Sequence, residues 1–528
     1  MRMITSQQFN PLYGINGGPG AFWPNAAGPT KGFVDVSKQY QKIGVRRIRF
    51  HDYFGAGDMM QFFPLNGSKN VPDLNNEDNY YWKETDRQFC KIRDGGFDCL
   101  IQVGQGWRNM ASWAPFEGME LEGYQLNPQK PTKFWPNINQ IARQVAPDLF
   151  IKYLDHIWSL DPDHNGDRYV EFWNEPNIQS INTVPPSQAP NPYNDKEFLN
   201  TKFRNYEWDG TPLQFYELFE CCAKAIKRQY CARGIKIGGP ALWNPGADSP
   251  VNLKWIELFF DHIRVHKVPM DFISWSLYSD EPDEFTKNYK FIQYHLDRIG
   301  YCDTQQVISE YAILFNNKTT LPDGREIPNS LLAKGAAIAT SIWIRLQEFS
   351  NLAMAYYYRG NDGPFVPNGV GFPILLEQKC GQITNPNPNN FGPTGVGMFH
   401  GNGKKKPVAR AFKLWSNMAH LKRLDPRDVI TCKVPYSGRL YLLAGENNKN
   451  ENEWIILGSY RNDLSTLNAS IAISDTTVKC AVIETVLDDK VVTEEINDPQ
   501  ALQNIQIEPN RAFHIFLKHS ASIKERGS

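Results

Sequence analysis

Arg168-Tyr169-Val170-Glu171-Phe172-Trp173-Asn174-Glu175-Pro176-Asn177 is a short aromatic and β-branched run that ends on an acid and a proline. It reads as a strand running into a loop. Proline lacks a backbone donor and restricts the residue before it, so the strand stops there and Glu175 is expected to be held extended at its end. Runs of the same texture recur at Leu12–Asn16, Arg46–Tyr53, Phe97–Val103, Ile235–Gly239, Asp271–Tyr278, Gln305–Tyr311 and Leu352–Tyr358. Between and after them, apolar residues fall at three-to-four spacing in Val36–Ile43, Asp86–Asp94, Pro147–Trp158, Leu213–Tyr230, Leu253–Val265, Glu284–Ile299, Ser330–Gln347 and Pro407–Ala419, which predicts helices. Eight strand–helix alternations point to an α/β fold, a parallel sheet closed into a (β/α)8 TIM barrel.

A chain of 528 residues is too long for one ordinary domain. After about Arg423 the texture changes to short alternating runs, Arg439–Ala444, Glu453–Ser459, Ala469–Ile473, Val478–Val486, Val491–Ile496 and Ala512–Leu517, separated by turn residues. A barrel over 10–422 and a C-terminal β-sandwich over 423–528 are expected, with residues 1–9 free to join the sandwich. No aromatic cluster marks the sandwich as a sugar platform, so it is expected to cover barrel surface. The segments Trp107–Ile138, Ile178–Thr211 and Gly360–Lys406 are rich in Pro, Gly and Asn and follow strands, where barrels carry substrate-binding loops. A walled pocket or cleft is expected there.

Composition narrows the partner. With 41% hydrophobic residues, 21% charged and a net charge of −1, the chain offers no electrostatic footprint for nucleic acid or an anionic membrane. Aromatic residues make up 13%, including 14 Trp and 23 Tyr, which suits an uncharged, partly apolar ligand such as a carbohydrate. Nine Cys, an odd count without repeated spacing, suggest mostly buried thiols and neither a disulfide framework nor a zinc site. Neither Gly104-Gln105-Gly106 nor Gly395-Val396-Gly397 completes a phosphate or dinucleotide signature, and no cofactor or metal is expected. The first eight residues lack the apolar region of a signal peptide and no run of about eighteen apolar residues occurs, so the compartment, cytoplasmic or exported with the leader removed, stays open. So does the oligomeric state.

The chemistry is carried by acids at strand ends, where catalytic groups of a barrel project. Glu175 closes the fourth strand. Glu310 closes the seventh, Gln305-Gln306-Val307-Ile308-Ser309-Glu310-Tyr311, and the two-residue period puts it on the face of Ile308 and Gln306. A carboxylate pair about 5 Å apart performs retaining glycoside hydrolysis, one as nucleophile and the other first as acid, then as base. Such a pair needs opposite protonation states, which mutual repulsion and limited solvation supply. Arg49 and His51 share a face of the second strand and both can point into the mouth; structural ion pairing of Arg47 and Arg49, and a core role for His51, are the alternatives. Asn174 reaches the site together with Glu175 only if the strand is already ending there. Trp107, Trp243, Trp275 and one ring of Tyr356-Tyr357-Tyr358 are candidate sugar platforms, with core packing as the alternative.

Trp173-Asn174-Glu175-Pro176, Ile308-Ser309-Glu310, Arg49-Phe50-His51, Gly238-Gly239-Pro240-Ala241, Asp271-Phe272-Ile273-Ser274 and Lys406-Pro407 resemble the clan of retaining glycosidases with paired glutamates. Within it the chain is most similar to glycoside hydrolase family 39, which includes β-xylosidases and α-iduronidases. The resemblance implies Glu175 as acid/base, Glu310 as nucleophile, Arg49 against the nucleophile, Asn174 on the sugar 2-hydroxyl and Tyr278 hydrogen-bonded to the nucleophile. It departs at Ser276, where relatives carry His, a change that enlarges the pocket and removes a hydroxyl ligand. A retaining exo-glycosidase acting on terminal bonds of oligo- or polysaccharides, β-xylosidase-like, is therefore expected. A hydrolase releasing an arabinose-containing disaccharide, an endo-acting hydrolase, an α-iduronidase-like enzyme using Arg359 and Lys404–Lys406 for a carboxylate, and a non-catalytic carbohydrate-binding barrel are the alternatives.

Overall fold

The structure is a computed structural model that describes residues 8–19, 35–51, 73–80, 82–104, 120–121, 124–125, 138–164, 166–177, 191–201, 208, 210–314, 317–320, 323–361, 397–400, 403–447 and 450–519. Its first part alternates strand and helix: β1 (Gly14–Asn16), α1 (Ser37–Ile43), β2 (Arg47–Phe50), α2 (Lys83–Asp94), β3 (Asp98–Val103), α3 (Ile138–Ser159), β4 (Arg168–Phe172), α4 (Pro212–Gln229), β5 (Ile235–Trp243), α5 (Pro250–His266), β6 (Phe272–Tyr278), α6 (Pro282–Ile299), β7 (Gln305–Ala312), α7 (Ala333–Leu346), β8 (Leu352–Tyr357) and α8 (Pro407–Ser416). The eight strands pair in parallel with their sequence neighbours, and β1 pairs with both β2 and β8, which closes the barrel.

Local chemistry explains where the helices begin. Thr211 accepts from Gln214 N at 3.2 Å while the Gln214 side chain accepts from Thr211 N, a capping box, and Pro212 follows in the first turn, where its missing donor costs nothing. Ser249 caps α5 with its hydroxyl alone, accepting from Asn252 N, and Pro250 again follows in the first turn. Among the described residues no helix is long and apolar enough to cross a membrane.

The C-terminal part is a β-sandwich, built from β9 (Leu421–Leu424), β10 (Ile430–Lys433), β11 (Arg439–Asn447), β12 (Asn450–Arg461), β13 (Ala469–Ile473), β14 (Val478–Val486), β15 (Val491–Ile496), β16 (Ile505–Ile507) and β17 (Arg511–His519). One sheet runs β9-β11-β12-β17-β14-β15 and the other β10-β13-β16, with their own apolar core between them. Gln8 forms an isolated bridge to Lys422, so the start of the chain joins the sandwich edge.

The sandwich covers α7. That helix is buried on nearly every side, from Ala336 and Ile338 to Trp343 and Leu346, which a surface helix with one apolar stripe would not be. Leu443, Leu457, Val486 and Ala512 of the sandwich belong to the barrel's core cluster, and Ser459 Oγ donates to Ala337 O at 2.7 Å.

One expectation about the cysteines is corrected. Among the described residues only Cys222 is fully buried, and Cys231, Cys302 and Cys432 are exposed. The first two fall in turns just beyond α4 and α6, and Cys432 lies on the short strand β10, where little covers it.

Candidate active site

The carboxyl ends of the strands meet at one mouth, and its centre is the Arg49 guanidinium, wholly buried on β2. Nε donates to Glu171 Oε2 at 2.6 Å, Nη1 to Glu310 Oε1 at 2.7 Å and to Asn16 Oδ1 at 3.1 Å, and Nη2 to Asn174 Oδ1 at 2.9 Å. A buried cation is tolerated only when its donors are satisfied, and here two carboxylates and two amides do so. Their charges raise the Arg49 pKa against burial, which alone would lower it.

Glu310, 5% exposed, also receives the Tyr278 hydroxyl on Oε2 at 2.7 Å and lies 3.1 Å from His51 Nε2. Burial pushes its carboxyl up, but the hydrogen bond and charge of His51, the Arg49 charge and the Tyr278 bond outweigh it and pull it down to about 2. The other nitrogen of His51, Nδ1, sits 3.2 Å from Gln102 Oε1. Gln102 Nε2 donates to Gly104 O at 2.9 Å, so its amide oxygen is the atom turned to the imidazole. Both ring nitrogens therefore face oxygens, Glu310 Oε1 on one side and Gln102 Oε1 on the other.

Glu310 reaches the mouth by a route that strict alternation would not give. Gln306, with Nε2 on Tyr289 O, and Ile308 point outward to the helices, and the period-two reading puts Glu310 with them. The pairing of β6 with β7 jumps from Trp275↔Ile308 to Ser276↔Glu310 and leaves Ser309 extra, a β-bulge. Ser309 and Glu310 consequently both face inward: Ser309 Oγ lies 3.2 Å from Ser276 Oγ, and Asn16 Nδ2 donates to Ser309 O at 2.7 Å. Ser276 is fully buried, with its hydroxyl on Ser309.

Glu175 also departs from its expectation. It is not extended but left-handed, with φ 45°, and Trp173 before it has φ 67°. The strand ends at Phe172, and two anchors force the turn: Trp173 N donates to Val103 O at 2.7 Å on β3 and Glu175 N to Ala241 O at 3.2 Å on β5. These tertiary bonds override the local preference of a residue before proline, a strain that costs roughly 1–3 kcal/mol per residue. The turn brings Asn174 onto Arg49 and leaves Glu175 at the mouth, 7% exposed. Gly104, with φ 84°, has to be glycine, because a Cβ there would meet the Trp173 ring at 2.5 Å.

Tyr278 sits between two more aromatic residues, with ring centroids 5.5 Å from Trp243 and 5.9 Å from Tyr358. Trp243 is half-buried, and its backbone is clamped by Asn177, whose Oδ1 accepts from Trp243 N and whose Nδ2 donates to Trp243 O. Trp275 is no platform: it is fully buried, packs on Phe285 and donates Nε1 to Gln306 Oε1. Trp107 and the greater part of the three long loops lie outside the described residues. Sequence reasoning missed Asn16, Gln102 and Glu171, polar residues pointing into the barrel.

Arg49→Met leaves Glu171 and Glu310 buried beside no guanidinium, and is expected to lower stability at pH 7 by about 3–5 kcal/mol in urea unfolding. The depressed Glu310 carboxyl contributes stability that is fully present above its ordinary value of 4.5 and is lost as pH falls toward about 2. The variant has less of this to lose, so its deficit should narrow below pH 4.5.

The closed eight-stranded barrel with its C-terminal sandwich is a fold shared with solved glycoside hydrolases. A glucosidase from Croceicoccus marinus is similar over 98% of this chain and 97% of that one, at 17% identity and a TM-score of 0.57. A family 39 enzyme from Xanthomonas axonopodis pv. citri matches with 13% identity, coverage of 98% and 96% and a TM-score of 0.56. A family 39 β-xylosidase from Caulobacter crescentus matches with 14% identity, coverage of 98% of both chains and a TM-score of 0.55. The likeness to family 39 read in the motifs thus extends to the fold of nearly the whole chain. No protein-family model matches the sequence.

Proposed function

We propose that the protein is a retaining exo-glycoside hydrolase of the family 39 type that removes terminal sugars from oligo- or polysaccharides by double displacement, with a β-xyloside as substrate. The observation that carries the proposal is Glu310, a buried carboxylate held ionised by Arg49, His51 and Tyr278 at the same mouth as Glu175. Glu310 attacks the anomeric carbon while Glu175 gives its proton to the departing oxygen, leaving a glycosyl ester on Glu310. Water then attacks that carbon, Glu175 takes its proton, and the ester bond breaks to restore the Glu310 carboxylate.

The neighbours have matching tasks. Asn174 Oδ1 is taken by Arg49, which leaves Nδ2 as the group to donate to the sugar 2-hydroxyl, a contact that tightens in the oxocarbenium-like transition state. Trp243 and Tyr358, flanking Tyr278, suit the face of a bound sugar. The pentoside assignment is supported by the motif resemblance and by the β-xylosidase among the similar structures.

Incubation with a panel of aryl glycosides, followed by NMR of the first product, is expected to show β-xyloside cleavage with β-xylose formed first. An α-configured first product would rule out the double displacement, and a stronger preference for another glycoside would replace the sugar while leaving the mechanism in place.

A further inference from the structure

On the outer wall of the barrel, three side chains from two neighbouring helices converge. His262 and His266 are four residues apart in the last turns of α5, so they stand on one helix face. Their rings stack at 4.1 Å with 14° between planes. Glu220 reaches across from α4, with Oε2 2.8 Å from His262 Nε2 and 3.1 Å from His266 Nδ1. All three donor atoms lie within 4.8 Å of one another. We infer that Glu220, His262 and His266 form a zinc site that staples α4 to α5, separate from the carbohydrate mouth.

The donor set decides the metal class. Two imidazoles and a carboxylate suit zinc, whereas magnesium and calcium prefer oxygen ligands throughout. Zinc bonds of about 2.0–2.2 Å in a tetrahedron put neighbouring donors roughly 3.3–3.5 Å apart, so the observed separations call for small side-chain movements and none of the backbone. Two histidines four residues apart on a helix are a recurrent zinc clip, and a third ligand leaves the fourth position to water. That position has access: the His262 side chain is 8% exposed and that of His266 46%.

The surroundings hold the ligands in place. Lys224 Nζ bonds the other Glu220 oxygen, Oε1, at 2.8 Å and so turns Oε2 toward the histidines. Tyr216 packs 5.8 Å from the His262 ring, with its own hydroxyl donating to Trp255 O at 2.6 Å. In the sequence the site is not visible, because Glu220 precedes His262 by a strand and a loop and only the packing of α4 on α5 unites them.

Chelator-treated full-length protein is titrated with zinc chloride by calorimetry, alongside His266→Ala and Glu220→Gln. One site is expected in the unaltered protein, weakened at least tenfold by either change. Cobalt should give the visible absorption of a tetrahedral ion, lost in both variants, and saturating zinc should raise Tm by about 3 °C. His266 is half exposed, so its removal leaves the core intact, which circular dichroism checks. Absence of zinc binding overturns the inference. So does binding of undiminished affinity in both variants, which would assign the metal to the exposed thiols of Cys231, Cys302 or Cys432.

Discussion

Glu310→Gln is expected to lower kcat/KM on an aryl β-xyloside by about 10⁴-fold or more, the scale seen when a nucleophile that acts as part of a unit is removed. The amide matches the carboxylate in shape. Its oxygen can still accept from Arg49 Nη1, and its nitrogen can donate to the Tyr278 hydroxyl, so the bonds that place Glu310 at 2.7 Å from each partner have replacements. What disappears is the anion that attacks the sugar and the charge that the Arg49 guanidinium stabilises. Loss of activity with a native circular dichroism spectrum therefore separates chemistry from folding. A 2-deoxy-2-fluoro xyloside, which slows breakdown of the glycosyl ester, should label the peptide containing Glu310 in the unaltered protein and none in the variant. Hydrolysis within tenfold of the unaltered rate would remove Glu310 from the nucleophile's role.

The eight strands were legible because each is an apolar run of strand length followed by a helix with its own period, two signals that reinforce each other. Register was not. Ile308, Ser309 and Glu310 give no local sign of a bulge, since the extra residue exists only in the pairing of β7 with β6, and period two alone sends Glu310 to the helix side. Nor does a glutamate before proline announce a left-handed turn, because the bonds that force it come from Val103 on β3 and Ala241 on β5. Asn16, Gln102 and Glu171 escaped for another reason. A polar residue in a strand looks alike whether it faces solvent or a polar barrel centre, and only its partner there reveals which: for Asn16 and Glu171 the buried Arg49, for Gln102 the His51 ring. Trp275 shows the converse, a large aromatic near a strand end that the helix layer absorbs into the core.

These observations give the two acids different settings. Glu310 is fixed by a bulge, a guanidinium, an imidazole and a phenol, all of which favour its charge. Glu175 is fixed by backbone, through a turn that costs conformational energy and is anchored on both neighbouring strands. A nucleophile has to stay ionised before it attacks, whereas an acid/base has to exchange its proton twice in each cycle, so the depressed carboxyl of Glu310 suits the first task.

Glu175→Ala is the test of that division. On a natural xylo-oligosaccharide, whose leaving group needs a proton, kcat/KM is expected to fall by about 10²–10⁴-fold. On a dinitrophenyl xyloside, which departs unassisted, the first step should be spared and the glycosyl ester should accumulate, giving a burst followed by slow turnover. Added azide fits the space that the carboxyl vacates and attacks without a base, so steady-state turnover should rise at least tenfold. Alanine at φ 45° retains the strain of the turn, so Glu175→Gln serves as the companion in which size is kept; it should show the same burst with weaker rescue. Configuration of the azide is decisive. Displacement of a β-xyloside by Glu310 and then by azide inverts twice and yields the β-xylosyl azide. An α-xylosyl azide would mean a single inversion on the face that Glu175 had occupied, and would transfer the nucleophile's role from Glu310 to Glu175.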